Sequence, residues 1–235
     1  MKAFGIILHV YLYKAVLIGL VFGAIVTGCL SFYVNDKWGG IFGGICAGLV
    51  VAFFQMLVQV SEHNDLERIR RLGIREILSH REGKGYYEEL ISKSEKRVFV
   101  LGITASRFLD DFAHKDRTDS QALLRVMKLH DVKVRLLLPK NSFLEEKDKG
   151  RTASAYARIE ELRAEFSSCF AARFFACVPA HSIVCADDEC LVGPVFRNVA
   201  SKDCPAIHVE ASSPFVHHYL NFFEDEWKDA EETPQ

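Results

Sequence analysis

The sequence predicts an α/β protein in two parts: an N-terminal two-helix transmembrane hairpin, then a domain built on a mixed sheet. Three observations predict this. Two long apolar runs without a charge fill most of the first 60 residues. Past residue 95 the apolar residues gather in short β-branched runs separated by amphipathic stretches. Four short consecutive strands then precede one last amphipathic helix.

The hairpin rests on residues 15–34, AVLIGLVFGAIVTGCLSFYV, and residues 38–60, WGGIFGGICAGLVVAFFQMLVQV. At roughly 1.5 Å per residue, each run spans a hydrocarbon core of about 30 Å. Only NDK separates them, enough for a tight turn. A cleaved signal peptide is the competing reading of the first run. The run is too long for one, shows no small-x-small site followed by a mature domain, and leads straight into a second span.

Basic residues orient the hairpin. Lys2 and Lys14 precede the first span, and Arg68, Arg70, Arg71 and Arg75 follow the second. The turn holds only Lys37, beside Asp36. The positive-inside rule then predicts an inner-membrane protein with both termini in the cytoplasm. Cys169, Cys177, Cys185, Cys190 and Cys204 form an odd set without C-x-x-C spacing. That pattern suits a reducing compartment better than a disulfide framework or a zinc site. The net charge of −2 gives no overall field to attract nucleic acid.

Glycines recur at four-residue spacing: Gly19 and Gly23, Gly39 and Gly43, then Gly40, Gly44 and Gly48. Such stripes let helices approach closely in lipid, either within the hairpin or between copies of it in a homo-oligomer. A connector helix is expected over residues 61–84, with Arg68, Arg71 and Arg75 on one face and Leu66, Ile69, Leu72, Ile77 and Leu78 covering the rest.

Residues 85–230 form the α/β domain. RVFVLGI (97–103) and VKVRLLL (132–138) read as buried strands, with SRFLDDF and DSQALLRVMKLHD as helices between them, the second capped by Asp119 or Ser120. This is a βαβ unit with parallel strands. A helix over residues 152–167 follows, then the strands ARFFACV, HSIVCAD, CLVGPV and PAIHVE. The last helix opens with Ser213 as cap and Pro214 in its first turn. Val216, Tyr219, Leu220, Phe223 and Trp227 make its buried face. Residues 231–235 read as a frayed polar tail.

HSIVCADD (181–188) has the frame of a phosphodiesterase motif, His-x-Lys-x4-Asp, with Ile183 where lysine belongs. With YYEELISKSEKRVFVLGIT, VKVRLLLPKNS, HSIVCADDECLVGP and FFEDEWKDA in that order, the soluble part resembles the phospholipase D-like superfamily in single-domain form. The resemblance implies a histidine that attacks phosphorus and a lysine that neutralises phosphate oxygens, with two motif copies facing each other. His181 stands at the histidine position and Asp188 at the aspartate. Gly193 comes two positions earlier than the family pattern and precedes Pro194. Isoleucine offers nothing to a phosphoryl transition state, so no catalytic residue is expected, and His181 and Asp188 read as vestigial. Ligand-binding candidates are His181, Asp188, Arg173 and, after the first strand, Arg107. LGITASR (101–107) lacks the G-K-[ST] ending of a P-loop. His217–His218 has no partner at metal-ligand spacing, so no metal or cofactor is expected.

A tight hairpin fused to such a domain resembles the two-transmembrane effectors of bacterial phage-defence systems, including those encoded beside retrons. The resemblance implies that the soluble domain senses or docks while the hairpin disrupts the inner membrane. It also implies a reverse transcriptase with its RNA–DNA product as partner, met through protein contacts, since no aromatic-basic stripe favours direct nucleic-acid binding. The rival is a membrane-anchored phospholipase or nuclease dimer using His181 from each chain. A passive membrane anchor is a third reading.

Overall fold

The computed structural model describes residues 2–33, 36–81, 83–196 and 199–234, with side chains outside 2–14, 36–37, 60–66, 68 and 120. Lys2, Lys14, Lys37, Leu66, Arg68 and Ser120, used above, thus have side chains outside the described residues. The chain divides into two compact units, Met1–Arg68 and Ile69–Gln235.

In the first unit, helix α1 (Lys2–Tyr33) is followed by α2 (Asp36–Arg71). Their segments Ala15–Tyr33 and Trp38–Gln59 are each long and apolar enough to cross a membrane. Side-chain-free positions let the helices meet. A Cβ on Gly23 would lie 3.2 Å from Leu49 Cδ1, one on Gly28 3.3 Å from Cys46 Sγ, and one on Gly43 3.5 Å from Ser31 Oγ. Polar groups close the contact: Ser31 Oγ donates to the Gly39 carbonyl at 3.0 Å, and Cys46 Sγ to the Ala24 carbonyl at 3.3 Å. Gly19, Gly40, Gly44 and Gly48 are different, since a Cβ on any of them meets nothing within 4 Å. Of the glycines expected to serve packing, Gly23 and Gly43 lie in the hairpin's own contact, and Gly19, Gly40, Gly44 and Gly48 do not.

Helix α2 stops at Arg71, so the connector does not stay helical through residue 84. Gly73 adopts φ +69° and turns the chain. A Cβ there would sit 2.4 Å from Ser213 Cβ, so this position needs glycine for both its conformation and its space. Strand β1 (Ile74–Leu78) follows, and of its side chains only Leu78 is buried.

The second unit is a sheet with helices on both faces. After β1 come α3 (Lys84–Ser92), β2 (Arg97–Leu101), α4 (Ser106–Phe112), α5 (Ala122–His130), β3 (Lys133–Pro139) and α6 (Glu146–Glu165). Then follow β4 (Phe170–Phe175), β5 (His181–Ala186), β6 (Glu189–Pro194), β7 (Ala206–Glu210) and α7 (Pro214–Asp229). The seven strands run in the order β1-β7-β6-β5-β2-β3-β4. β2, β3 and β4 are parallel, and every other pairing is antiparallel. The expected mixed α/β architecture with a parallel βαβ unit is therefore present.

Alternation along the strands makes two cores. On one face Val98, Val100, Leu136, Leu138 and Phe174 meet Leu90, Ile91, Leu109, Phe112, Leu123 and Ile159 from α3 to α6. On the other, Phe99, Leu101, Leu137, Ile183, Cys185 and Val192 meet Val216, Phe223 and Trp227 of α7. Ser213 caps α7 as expected, its Oγ accepting from Val216 N at 3.3 Å.

Three local expectations change. Helix α5 starts after Gln121, without a side-chain cap, and Asp119 instead pairs with Lys84 at 2.9 Å. Helix α6 begins at Glu146, a turn and a half before residue 152. The C-terminal tail is tied down: Glu231 exchanges two backbone hydrogen bonds with Phe174, and Asn141 N donates to the Pro234 carbonyl at 3.0 Å.

Candidate functional site

The motif segment forms the β5–β6 hairpin. Its tight turn at Asp187–Asp188 sets the register His181↔Pro194, Ile183↔Val192 and Cys185↔Cys190. Alternation then aims His181, Ile183 and Cys185 at α7 and Ser182 and Val184 at the opposite face. The His181 ring stands edge-on to Tyr219, with centroids 5.0 Å apart, and to Phe222 at 4.9 Å. Its Nε2 is buried with no hydrogen-bond partner among the described residues. Burial pushes the imidazole below its ordinary pKa, which keeps it neutral at neutral pH. Ile183 is 0% exposed beneath α7. The face on which histidine and lysine would cooperate is thus roofed by an aromatic helix.

Asp188 lies past the far end of β5, roughly 20 Å along the strand from His181. Its neighbour carries the structural work. Asp187 adopts φ +51°, and its carboxylate accepts from the backbone N–H of Glu95 at 2.6 Å, Lys96 at 3.0 Å and Arg97 at 2.8 Å. Arg173 lies on β4, which is β5's neighbour in sequence but not in space. β4 sits three strands from β5, roughly 14 Å across the sheet. Its guanidinium donates to the Trp227 carbonyl at 2.7 Å and lies 5.1 Å from the indole centroid. Arg107 is on α4, across the sheet from His181, paired with Asp111 at 3.3 Å. The four ligand-binding candidates do not converge.

The structure pairs Cys185 and Cys190 in a disulfide, which corrects the expectation of five free thiols in this unit. The sequence held the signal: a two-residue turn at Asp187–Asp188 makes these two cysteines direct cross-strand partners. Cys169, Cys177 and Cys204 are free.

Sequence reasoning also missed an opening on the Val184 face. A cleft of about 790 Å³ lies at the C-terminal end of β2, with Val100, Phe108, Val184, Leu191 and Ala206 among its lining. Ala105, which leads into α4, takes a left-handed φ of 50° there. LGITASR (101–107) lines it, but that motif alone did not announce it, because its walls come from five separate stretches of chain.

No family model matches the chain, and no curated protein matches it. Among solved structures, TrmBL2, an archaeal chromatin protein described with a novel mode of DNA binding, is similar. The two are 13% identical with a TM-score of 0.47, over 80% of this chain and 70% of that one. Nothing of that protein's activity is carried over.

Proposed function

We propose that this protein is a membrane-embedded effector of a bacterial anti-phage system of the retron type. Its hairpin lies in the inner membrane with both termini in the cytoplasm. The soluble unit docks a partner, a reverse transcriptase with its RNA–DNA product, through protein contacts. Release of that partner frees several hairpins to assemble and permeabilise the bilayer. The observation that carries this reading is the open glycine line on α2. Gly40, Gly44 and Gly48 recur at four-residue spacing, yet the hairpin packs on itself through Gly23, Gly28 and Gly43. A line free of side chains within a span gives a second helix close van der Waals access, a main source of association in lipid. The roofed His181–Ile183 face supports an effector over a phosphodiesterase, since a buried isoleucine stands where the motif's lysine would meet a phosphate.

The test is membrane depolarisation on induced expression of wild type, Gly44→Leu and His181→Ala. Leucine at Gly44 blocks the line while leaving insertion intact, because it is more apolar than glycine. Depolarisation is expected to vanish with Gly44→Leu and persist with His181→Ala. The reverse pattern places the activity in the soluble unit and refutes the effector reading. A reporter fused after Gln235 is expected on the cytoplasmic side.

A further inference from the structure

The cleft on the Val184 face is lined by LGITASR (101–107) and by Ser182 and Val184 of the motif strand, and its chemistry is of two kinds. The inner wall is hydrocarbon: Val100, Leu191 and Ala206 are buried in the core behind it, with Val184 and Phe108 packed beside them. The polar side chain on that stretch of β5, Ser182, already donates its Oγ to the Gly193 carbonyl at 3.4 Å. A nucleobase or sugar placed there would lose hydrogen bonds to water without recovering them, whereas a hydrocarbon chain loses none.

The mouth is apolar as well, and unusually exposed. Phe143 is 42% exposed, Val178 52%, Phe196 47% and Val199 44%, and all four line this cleft. They are half of the large apolar side chains that stand exposed among the described residues of this unit. Concentration of exposed apolar surface around one concavity marks a binding site.

Around that mouth stand Arg81, Lys84, Arg107, Lys147 and Arg151, against the carboxylates Asp111, Glu145 and Asp148. Lys84 is paired with Asp119, outside the lining, which leaves one positive charge over. Arg81 is held in place through the Pro194 carbonyl at 3.3 Å and Arg107 through Asp111. The Arg151 side chain is exposed and makes no hydrogen bond or ion pair among the described residues. The cleft's volume of about 790 Å³ falls within the roughly 300–1,000 Å³ of small-molecule sites.

We infer that this cleft binds a single-chain anionic amphiphile, its hydrocarbon tail against Val184 and Leu191 and its anionic head among Arg81, Arg107 and Arg151. The site lies across the sheet from His181 and involves no bond-breaking. It does not rest on the effector reading. A free fatty acid and a lysophospholipid share this chemistry, and the experiment separates them.

The full chain, in native membrane vesicles, is photolabelled with a photoactivatable palmitic acid analogue, its lysophosphatidylglycerol counterpart, or the corresponding fatty alcohol. Adducts are then mapped by peptide mass spectrometry. Labelling within residues 102–112 and 178–196 by the anionic probes, well above the alcohol, is the expected result. Whichever of the two anionic probes labels more strongly identifies the source. Reversing two rim charges, Lys147→Glu with Arg151→Glu, is expected to lower cleft labelling roughly tenfold, as about 1.4 kcal/mol of lost attraction would. Val184→Phe fills the inner wall and is expected to lower it too, while labelling of residues 15–59 stays unchanged. The rim variant alone suffices should the wall variant misfold. Adducts confined to residues 15–59, or equal cleft labelling by acid and alcohol, overturn the inference, as would a rim variant labelled like wild type.

Discussion

The ring of His181 meets that of Tyr219 edge-on at 86°, so a histidine that the phospholipase D resemblance would place at a reacting phosphorus is packed, half-buried, against the aromatics of α7. Its buried Nε2 has no hydrogen-bond partner among the described residues, and protonating it inside the fold places an unpaired charge under α7. His208 behaves similarly. Burial lowers its pKa, while the Glu189 carboxylate, 3.5 Å from Nε2, works in the other direction.

The sign of the resulting pH dependence follows from linkage. Both imidazoles have folded pKa values below the ordinary value of about 6.5, so the unfolded chain binds more protons than the folded one as pH falls through that value. Their neutral forms are fully compatible with the fold above about pH 6.5, and stability is lost below it, down to the folded pKa. Protection factors of the α7 amides, which allow for the intrinsic slowing of exchange in acid, are expected to fall between neutral and mildly acidic pH. His181→Phe, which keeps the ring contacts and removes the titration, is expected to flatten that dependence and leave the His208 part.

Asp187 and Asp188 exchange the importance that the motif frame assigns them. Asp187→Ala leaves three backbone N–H groups of the β2 entry without their acceptor and puts alanine at a left-handed φ. A loss of about 2–3 kcal/mol is expected in denaturant unfolding. Asp188→Ala is expected to change stability by no more than about 0.5 kcal/mol. Equal effects from the two would contradict this division.

The Cys185–Cys190 bond and a cytoplasmic location make opposite demands, since cytoplasmic glutathione keeps thiols reduced. Both side chains are buried, and a reduced pair still packs there as two small hydrophobes. With this unit in the cytoplasm, as proposed, alkylation of whole cells under denaturing conditions, followed by mass spectrometry, is expected to find the bond seen in the structure opened to two thiols. A disulfide trapped from living cells would put this unit on the oxidising side of the membrane and overturn the proposed topology.

Gly73→Ala is expected to cost about 2–4 kcal/mol, from the left-handed φ and from collision with Ser213. The second part is separable. Adding Ser213→Gly removes the colliding Cβ, and glycine is a tolerable helix cap, worth only a few tenths of a kcal/mol less than serine. The double variant is expected to unfold at a higher denaturant concentration than Gly73→Ala alone.

The parts of the fold that the sequence made legible share one property: burial strong enough to print a pattern. β2 and β3 are covered on both faces, so RVFVL and KVRLLLP read as continuous apolar runs. α7 buries one stripe, and Val216, Phe223 and Trp227 fall on it. β1 is the counterexample. Arg75, Glu76 and Ile77 are all exposed, so IREIL looks like another turn of an amphipathic helix, and Gly73 was the one sign that the helix had ended. Arg173 was misjudged for a different reason. Chain order places β4 beside β5, but β5 crosses to the far side of β2 and β3, a step that no local pattern records. The cleft was invisible because concavity is a property of assembled elements.

The edge position of β1 has a mechanical meaning. The strand that continues directly from α2 is bonded on one side only, to β7, through the pairs Ile74↔Val209, Glu76↔His208, Ile77↔Ile207 and Leu78↔Ala206. Its other ties are surface contacts, from Arg75 to Glu189 and Glu210 and from Tyr86 to Glu76, each of which adds little in water. Peeling β1 away would uncover Leu78 and the half-buried Ile74, one from each core, and leave six strands in place. Any tension along α2 therefore meets a fuse, a link that parts before the body it protects.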